Sequence, residues 1–395
     1  MYLILIIVDT SENKRGIVFL KLKTFFQSIN SYFELIVNEV TSHGGDVLKF
    51  AGDALFAEWR AESASNLPQA TLRAAVCGAA ITDKCSDYKV GTKKKYLLNV
   101  HCGVGLGEIS GLHVGDKTRR EYLILGKPID QVSQAEGVAK LGELVASFEA
   151  VKALEEIKAL DRNDCEEREG QCRVIATRSQ CHVKPLSTKN KVSRLPLIRE
   201  SSNQYVLEVI SSMTDETLEH FRSLLSLYVH PVIRNDELDI YNSFGLNNHY
   251  AIEPPKGSSS RRINNKSKLA RSSRQSAEAE LRGVYTMFIS PRINTLVIDD
   301  KLCNTLQQVI LVINQILQKY KGHLRQYIVD DKGVVLIATF GLRGSACPNM
   351  MSKHAIPATH DIHSKLKNDL NIPNFIGTTY GKAYCGVVVC TFSDM

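Results

Sequence analysis

Nothing in this sequence has the spacing of a metal-binding cysteine module. Its ten cysteines include no C-x-x-C pair and no histidines placed as their partners. The nearest approach, Cys165, Cys172 and Cys181 followed by His182, fits no common zinc pattern. Scattered free thiols of this kind point to a reducing, intracellular compartment. No apolar run reaches membrane-spanning length either. The opening MYLILIIV has no basic flank and runs straight into Asp9, so it reads as a buried strand rather than a signal or a span, and the protein as soluble and cytoplasmic. Charge of one sign is not in large excess. A formal +7 over 395 residues admits a polyanionic ligand such as a nucleotide without the marks of a nucleic-acid binder. The length allows two or three domains, each with a sizeable core.

What is present is a repeat. Counting back from Gly45, an amphipathic stripe runs Val40, Ile36, Phe33, Ile29 and Phe26; counting back from Gly322 by the same steps gives Leu317, Ile313, Ile310, Leu306 and Cys303. After each glycine comes a hairpin-like segment, GDVLKFAGDALFAEW and the longer GHLRQYIVDDKGVVLIATFG. Each copy then has a glycine-punctuated strand, Gly103 to Gly111 and Gly377 to Gly386. The order strand, helix, hairpin, helix, strand occurs twice, which is a ferredoxin-like α/β (α+β) arrangement in duplicate. The expected division is a first half over 1–155, a connecting region over 156–279 and a second half over 280–395. Within the connecting region the stretch from Thr214 reads as a helix near 214–230, stopped near Pro231. Residues 256–274 are basic, rich in Ser and Asn and free of acid, the composition of a disordered linker. Such a run also suits nuclear or anionic membrane-surface association.

The chemistry rests on carboxylates. Asp9 follows an apolar strand, and Asp53 stands in the Gly-Asp turn between VLKFA and ALFAEW. In a ferredoxin-like sheet the first strand and the hairpin are neighbours. Two Asp side chains at adjacent strand ends make a hard-oxygen site suited to Mg²⁺ or Mn²⁺. Spacing alone leaves a second reading open, in which each Asp merely ends a strand or shapes a turn. His43-Gly-Gly-Asp46 has the G-G-D of diguanylate cyclase hairpins, but Val47-Leu48 follows where that signature needs acidic or aromatic residues.

The core K-F-A-G-D-A-L, with GVGLGEISG and YLILGKPID downstream, resembles the class III nucleotidyl cyclases, and in particular their soluble, bicarbonate-responsive adenylyl cyclases. LRQYIVDDKGVVLIATFG and GTTYGKAYCGVV resemble that group's second catalytic half. The resemblance covers roughly residues 1 to 140 and 280 to 390. It implies an intramolecular pseudo-dimer of two catalytic halves that converts ATP to cyclic AMP and pyrophosphate with two Mg²⁺ or Mn²⁺ ions. By resemblance, Asp9 and Asp53 are the catalytic metal ligands and Thr10 offers its carbonyl to the metal. Thr10, Ser11, Ala54, Leu55, His101 and Gln326 fall at ATP-contacting positions. Lys49 and Ser133 fall at positions that hold bicarbonate in the soluble group. Against the family pattern, TSENKRG replaces the Ile-Ser-Gly-Phe-Thr phosphate loop, Ser133 stands for an arginine, and Gln326 stands near an adenine-reading lysine. The second copy reaches GVVVCTFSDM without a counterpart of YLILGKPIDQVSQAE, which in the family brings an Asn and an Arg to the reaction. That departure implies a truncated second half, and leaves open a chain that binds nucleotide or a partner without turnover.

Overall fold

The computed structural model describes residues 2–12, 22–51, 54–61, 63–90, 96–184, 211–234, 280–330, 333–342, 345–347 and 349–385. Asp53 and the basic stretch 256–274 lie outside the described residues, as do the side chains of Asp9, Thr10 and Ser11.

The first half is built around the apolar opening run. It forms β1 (Tyr2–Glu12), followed by α1 (Leu22–Ser42) and the hairpin β2 (Asp46–Ala51) and β3 (Ala54–Ala61). Then come α2 (Leu67–Lys84), β4 (Tyr88–Val90), β5 (Tyr96–Glu108), an arm of two strands β6 (Ser110–Gly115) and β7 (Arg120–Leu125), α3 (Lys127–Val138), β8 (Glu143–Ala146) and α4 (Phe148–Glu156). The sheet order is β2-β3-β1-β5-β8-β10-β9, with β4 on β5, where β9 is Glu166–Glu167 and β10 is Arg173–Thr177. The strands of this unit therefore run past residue 155. Ile36 and Val40 of the sequence stripe are fully buried in its core, with Trp59, Leu55 and Val100.

The connecting helix α5 (Asp215–Ser226) begins where Thr214 accepts a hydrogen bond from the Thr217 backbone N–H. The second half has β11 (Glu280–Pro291), α6 (Asp300–Lys319), the hairpin β12 (Gly322–Asp330) and β13 (Gly333–Phe340), α7 (Ile356–Asn368) and β14 (Asn374–Cys385), in sheet order β12-β13-β11-β14. Asp299 caps α6 by accepting from Leu302 N–H at 2.7 Å. Leu306, Ile310, Ile313 and Leu317 of the second sequence stripe are buried, and Cys303 at its far end is half-buried.

The two halves share atomic detail. Gly45 sits under Trp59 and Val40, where an added Cβ would come within 2.6 and 3.0 Å; Gly322 sits under Phe340 and Leu317, at 2.5 and 2.9 Å. Each glycine lets its helix-to-hairpin corner tuck beneath an aromatic ring of the hairpin's second strand. Both hairpins slip register at the same place, between Val47 and Lys49 and between Leu324 and Gln326. A β-bulge there bends each strand and re-aims the residue that follows it. One row of cross-strand partners runs Lys49–Phe56–Ile7–Gly103, and its counterpart runs Gln326–Ile337–Phe288–Gly377. Lys49 and Gln326 are thus equivalent positions.

The copies differ on one face. Cβ atoms added to Gly103 and Gly105 would meet the backbone of α3 at 2.6 and 2.7 Å, so β5 accepts its helix at closest approach. At Gly377 and Gly381 of β14 an added Cβ meets nothing within 4 Å.

The arm joins the halves. Val114, Leu123 and Leu125 belong to the second half's core. Gln307 of α6 accepts from Gly115 N–H at 2.8 Å and donates to its carbonyl at 2.9 Å. Asn314 donates to the Arg119 carbonyl at 3.3 Å. α5 is fixed to the same arm: Arg120 N–H donates to the Leu227 carbonyl at 2.8 Å, and the Arg119 guanidinium donates to the Tyr228 carbonyl.

Candidate functional site between the halves

Strand register sets the carboxylate positions. β1 pairs with β3 as far as Val8↔Leu55, so Asp9, the next residue, lies level with Ala54. Ala54 pairs with Ala51 across the hairpin, and residue 53 is bonded directly to it. On the other side of β1, Asp9 lies opposite His101, Thr10 opposite Val100 and Ser11 opposite Asn99. In the second half the same row places Ser290 opposite Phe375. The position of Asp9 therefore carries a serine in the second copy.

The other sequence candidates have definite surroundings. Leu55 is fully buried, which leaves only its backbone to face a ligand; Ala54 is half-buried. His101 Nε2 lies 2.7 Å from Glu136 Oε1, so this ring is engaged by α3. Gln326 is buried and donates from Nε2 to the Phe50 carbonyl at 2.7 Å, a hydrogen bond from the second half's bulge to the first half's hairpin. Ser133 is half-buried on α3, beside the buried Val132.

Lys49 stands over the Phe56 ring, 4.9 Å from its centroid, a cation–π contact. Burial pushes its ammonium pKa down, and the carboxylates of Asp330 and Glu121 oppose that shift. Glu121 of β7 is the centre of a charged group that composition and spacing do not announce. It pairs with Arg119, and Arg325 and Lys49 also bear on it. Arg325 is the bulged residue immediately before Gln326, and Asp330 ends β12. The cluster thus draws on both hairpins and the arm. Its one sequence trace is the charged run Arg119-Arg120-Glu121, which reads equally well as a solvated turn.

Burial raises the Glu121 carboxyl to about 7, against the lowering influence of Arg119, Arg325 and Lys49. The raised folded-state value means the native protein holds this proton where the unfolded chain has released it. The associated stability is fully present below the unfolded pKa and is lost as pH rises through about 7. Up to about 3 kcal/mol is involved. Urea unfolding at pH 5 and pH 8 should show the Glu121→Gln variant gaining on the native chain at the higher pH. Parallel pH profiles for the two proteins would remove Glu121 from this role.

No protein-family model matches the chain. Adenylate cyclase type 10 of Homo sapiens is 24% identical over 372 residues, covering 91% of this chain and 20% of that protein. The Oryctolagus cuniculus protein of the same name is 23% identical over 366 residues, again covering 91% and 20%. An uncharacterized protein of Mycobacterium tuberculosis is 33% identical over 132 residues, 32% of this chain and 23% of that one. The chain spans about a fifth of the length of the adenylate cyclases it matches. Among solved structures, the adenylyl cyclase CyaB from P. aeruginosa aligns over 45% of this chain and 95% of its own, at 17% identity and a TM-score of 0.35. A class III adenylyl cyclase-like ATP-binding protein from Pseudomonas aeruginosa aligns over 98% of this chain and 79% of its own, at 12% identity and a TM-score of 0.49. Among the described residues no helix is long and apolar enough to cross a membrane. With a duplicated ferredoxin-like architecture, the chain is similar in sequence along nearly all its length to adenylate cyclase type 10.

Proposed function

We propose that the chain is an adenylyl cyclase module that closes ATP to cyclic AMP and pyrophosphate where its two halves pair. The observation that carries this reading is the register that sets Asp9 level with Ala54, one residue from Asp53. Two acidic side chains on neighbouring strand ends fit Mg²⁺ or Mn²⁺, with the Thr10 carbonyl as a further hard-oxygen donor. Two ions bound there would activate the attacking 3′-hydroxyl and neutralise charge on the phosphates. Pairing of the halves is supported by the Gln307, Asn314 and Gln326 hydrogen bonds.

The chain's own residues would orient the nucleotide. Backbone groups at Thr10 and Ser11 would meet phosphate oxygens, and the backbone at Ala54 and Leu55 would border the same space. The bond from Gln326 to Phe50 requires its amino group to point at that carbonyl, which leaves Oε1 as an acceptor. An acceptor suits the adenine 6-amino group and opposes the guanine 6-oxo group, so the reading assigns ATP over GTP. Near Lys49 the negative charge is supplied by Asp330 and, above about pH 7, by Glu121, and Ser133 brings no cation. Turnover is accordingly expected without dependence on bicarbonate. The test is product formation by the purified chain with Mn²⁺ from ATP and from GTP, with and without bicarbonate. Cyclic AMP in excess over cyclic GMP, changed less than about twofold by bicarbonate, is the expected result. Equal products would overturn the role of Gln326.

A second reading is a chain that binds nucleotide without turnover. It is favoured by the prior engagement of His101 with Glu136 and of Gln326 with Phe50, both at positions expected to meet ATP. Nucleotide binding with neither cyclic product would select it.

A further inference from the structure

The loop between β13 and α7 carries an arrangement that plays no part in the nucleotide site. The Cys347 sulfur lies 3.2 Å from His354 Nε2, and His354 Nδ1 lies 3.1 Å from the Tyr320 carbonyl. A carbonyl only accepts, so Nδ1 carries the proton and the neutral ring presents an unprotonated Nε2 to the thiol. Nucleophile, base and orienting group therefore stand in sequence, the pattern that activates a sulfur for attack.

Three further features bear on this pair. Tyr320 is the C-cap of α6, so the imidazole sits at the negative end of that helix. Nearby, Asp361 is occupied by Lys319 Nζ at 2.9 Å and by the Tyr320 hydroxyl at 2.8 Å. His354 itself is carried on a π-helical turn, Met351–Ala355, entered through Asn349 at φ 59°. Single π-turns are rare and concentrate at functional positions.

Cys347 is also reachable, being half-buried. By contrast Cys77, Cys85, Cys102, Cys165 and Cys172 are buried. Burial pushes their thiols up, to about 12 at Cys85 and about 11 at Cys165. Cys181 is exposed, and its thiol donates to the Val183 carbonyl at 3.6 Å.

We propose that Cys347 is a thiol-modification site, activated by His354 for reaction with small hydroperoxides. The thiol proton passes to His354 Nε2 and the sulfur attacks the terminal peroxide oxygen. An S–O bond forms as the O–O bond breaks. Sulfur loses two electrons, becoming a sulfenic acid, and the peroxide is reduced to the alcohol, or to water from hydrogen peroxide. The leaving oxygen takes the proton back from His354, so the imidazole ends neutral.

The test treats the whole 395-residue chain with one equivalent of hydrogen peroxide. Sulfenic acid is trapped with dimedone and mapped by mass spectrometry, with Cys181 of the same molecule as the internal reference. Labelling at Cys347 is expected to run about tenfold or more ahead of Cys181. The His354→Gln variant should lower that ratio to near one, and Lys353→Gln should leave it unchanged. The native ratio is decisive even if His354→Gln folds poorly. Cys347 reacting no faster than Cys181, or a ratio indifferent to His354→Gln, would overturn the proposal.

Discussion

A single methyl group at Gly103 is expected to destabilise the protein by about 2–3 kcal/mol, whereas the same change at the equivalent Gly377 costs nothing. Gly103 of β5 faces α3 at closest approach, where a Cβ would lie 2.6 Å from the Val132 carbonyl oxygen and 2.7 Å from the Glu136 nitrogen. Both obstacles are backbone, so neither can rotate away. Gly103→Ala must push α3 off the sheet, and with it His101, held through Glu136, and the buried Val132. At Gly377 an added Cβ meets open space, and alanine suits a strand better than glycine. Gly377→Ala is expected to be neutral or to stabilise by up to about 1 kcal/mol. Urea denaturation of the two variants beside the native chain reads the difference. Equal effects would mean that the two strands are packed alike, contrary to the fold described.

Much of this architecture was legible because helices and hairpins announce themselves by local period. Ile36 and Val40 of the first stripe and Leu306, Ile310, Ile313 and Leu317 of the second are buried as the spacing requires, and the glycine that follows each stripe is pinned beneath Trp59 or Phe340. What local pattern does not carry is cross-strand register. The matched bulges equate Lys49 with Gln326, yet they exist only once β2 is laid on β3 and β12 on β13. The engagement of His101 by Glu136 depends likewise on α3 lying over β5, which spacing along the chain does not give. Glu121 reads as a strand-end charge until the arm carries it between the hairpins. The Cys347–His354 pair was invisible for a related reason. The two lie seven positions apart in sequence, and a π-turn rather than a regular helix carries His354. The Gly-Asp motif gave the candidate site its strongest sequence signal. Of that site, the structure contributes the strand pairing on either side of Asp53.

The proposed activity needs Asp9 and Asp53 to act as one unit, and that requirement has a kinetic signature. Carboxylates that hold the same ions contribute jointly, so removing either loses what removing both would lose. Asp9→Asn and Asp53→Asn keep size and polarity but remove the negative charge, and each is expected to lower turnover by about 10²-fold or more. Thermal unfolding of each variant beside the native chain separates lost turnover from lost fold. The decisive measurement is the rate of cyclic AMP formation from ATP with Mn²⁺ by the native chain, each single variant and the double variant. Activity is expected in the native chain, with the three variants depressed to a common floor. A native chain that makes no cyclic AMP, a single variant that retains its rate, or a double variant whose loss is the product of two modest losses would contradict that expectation.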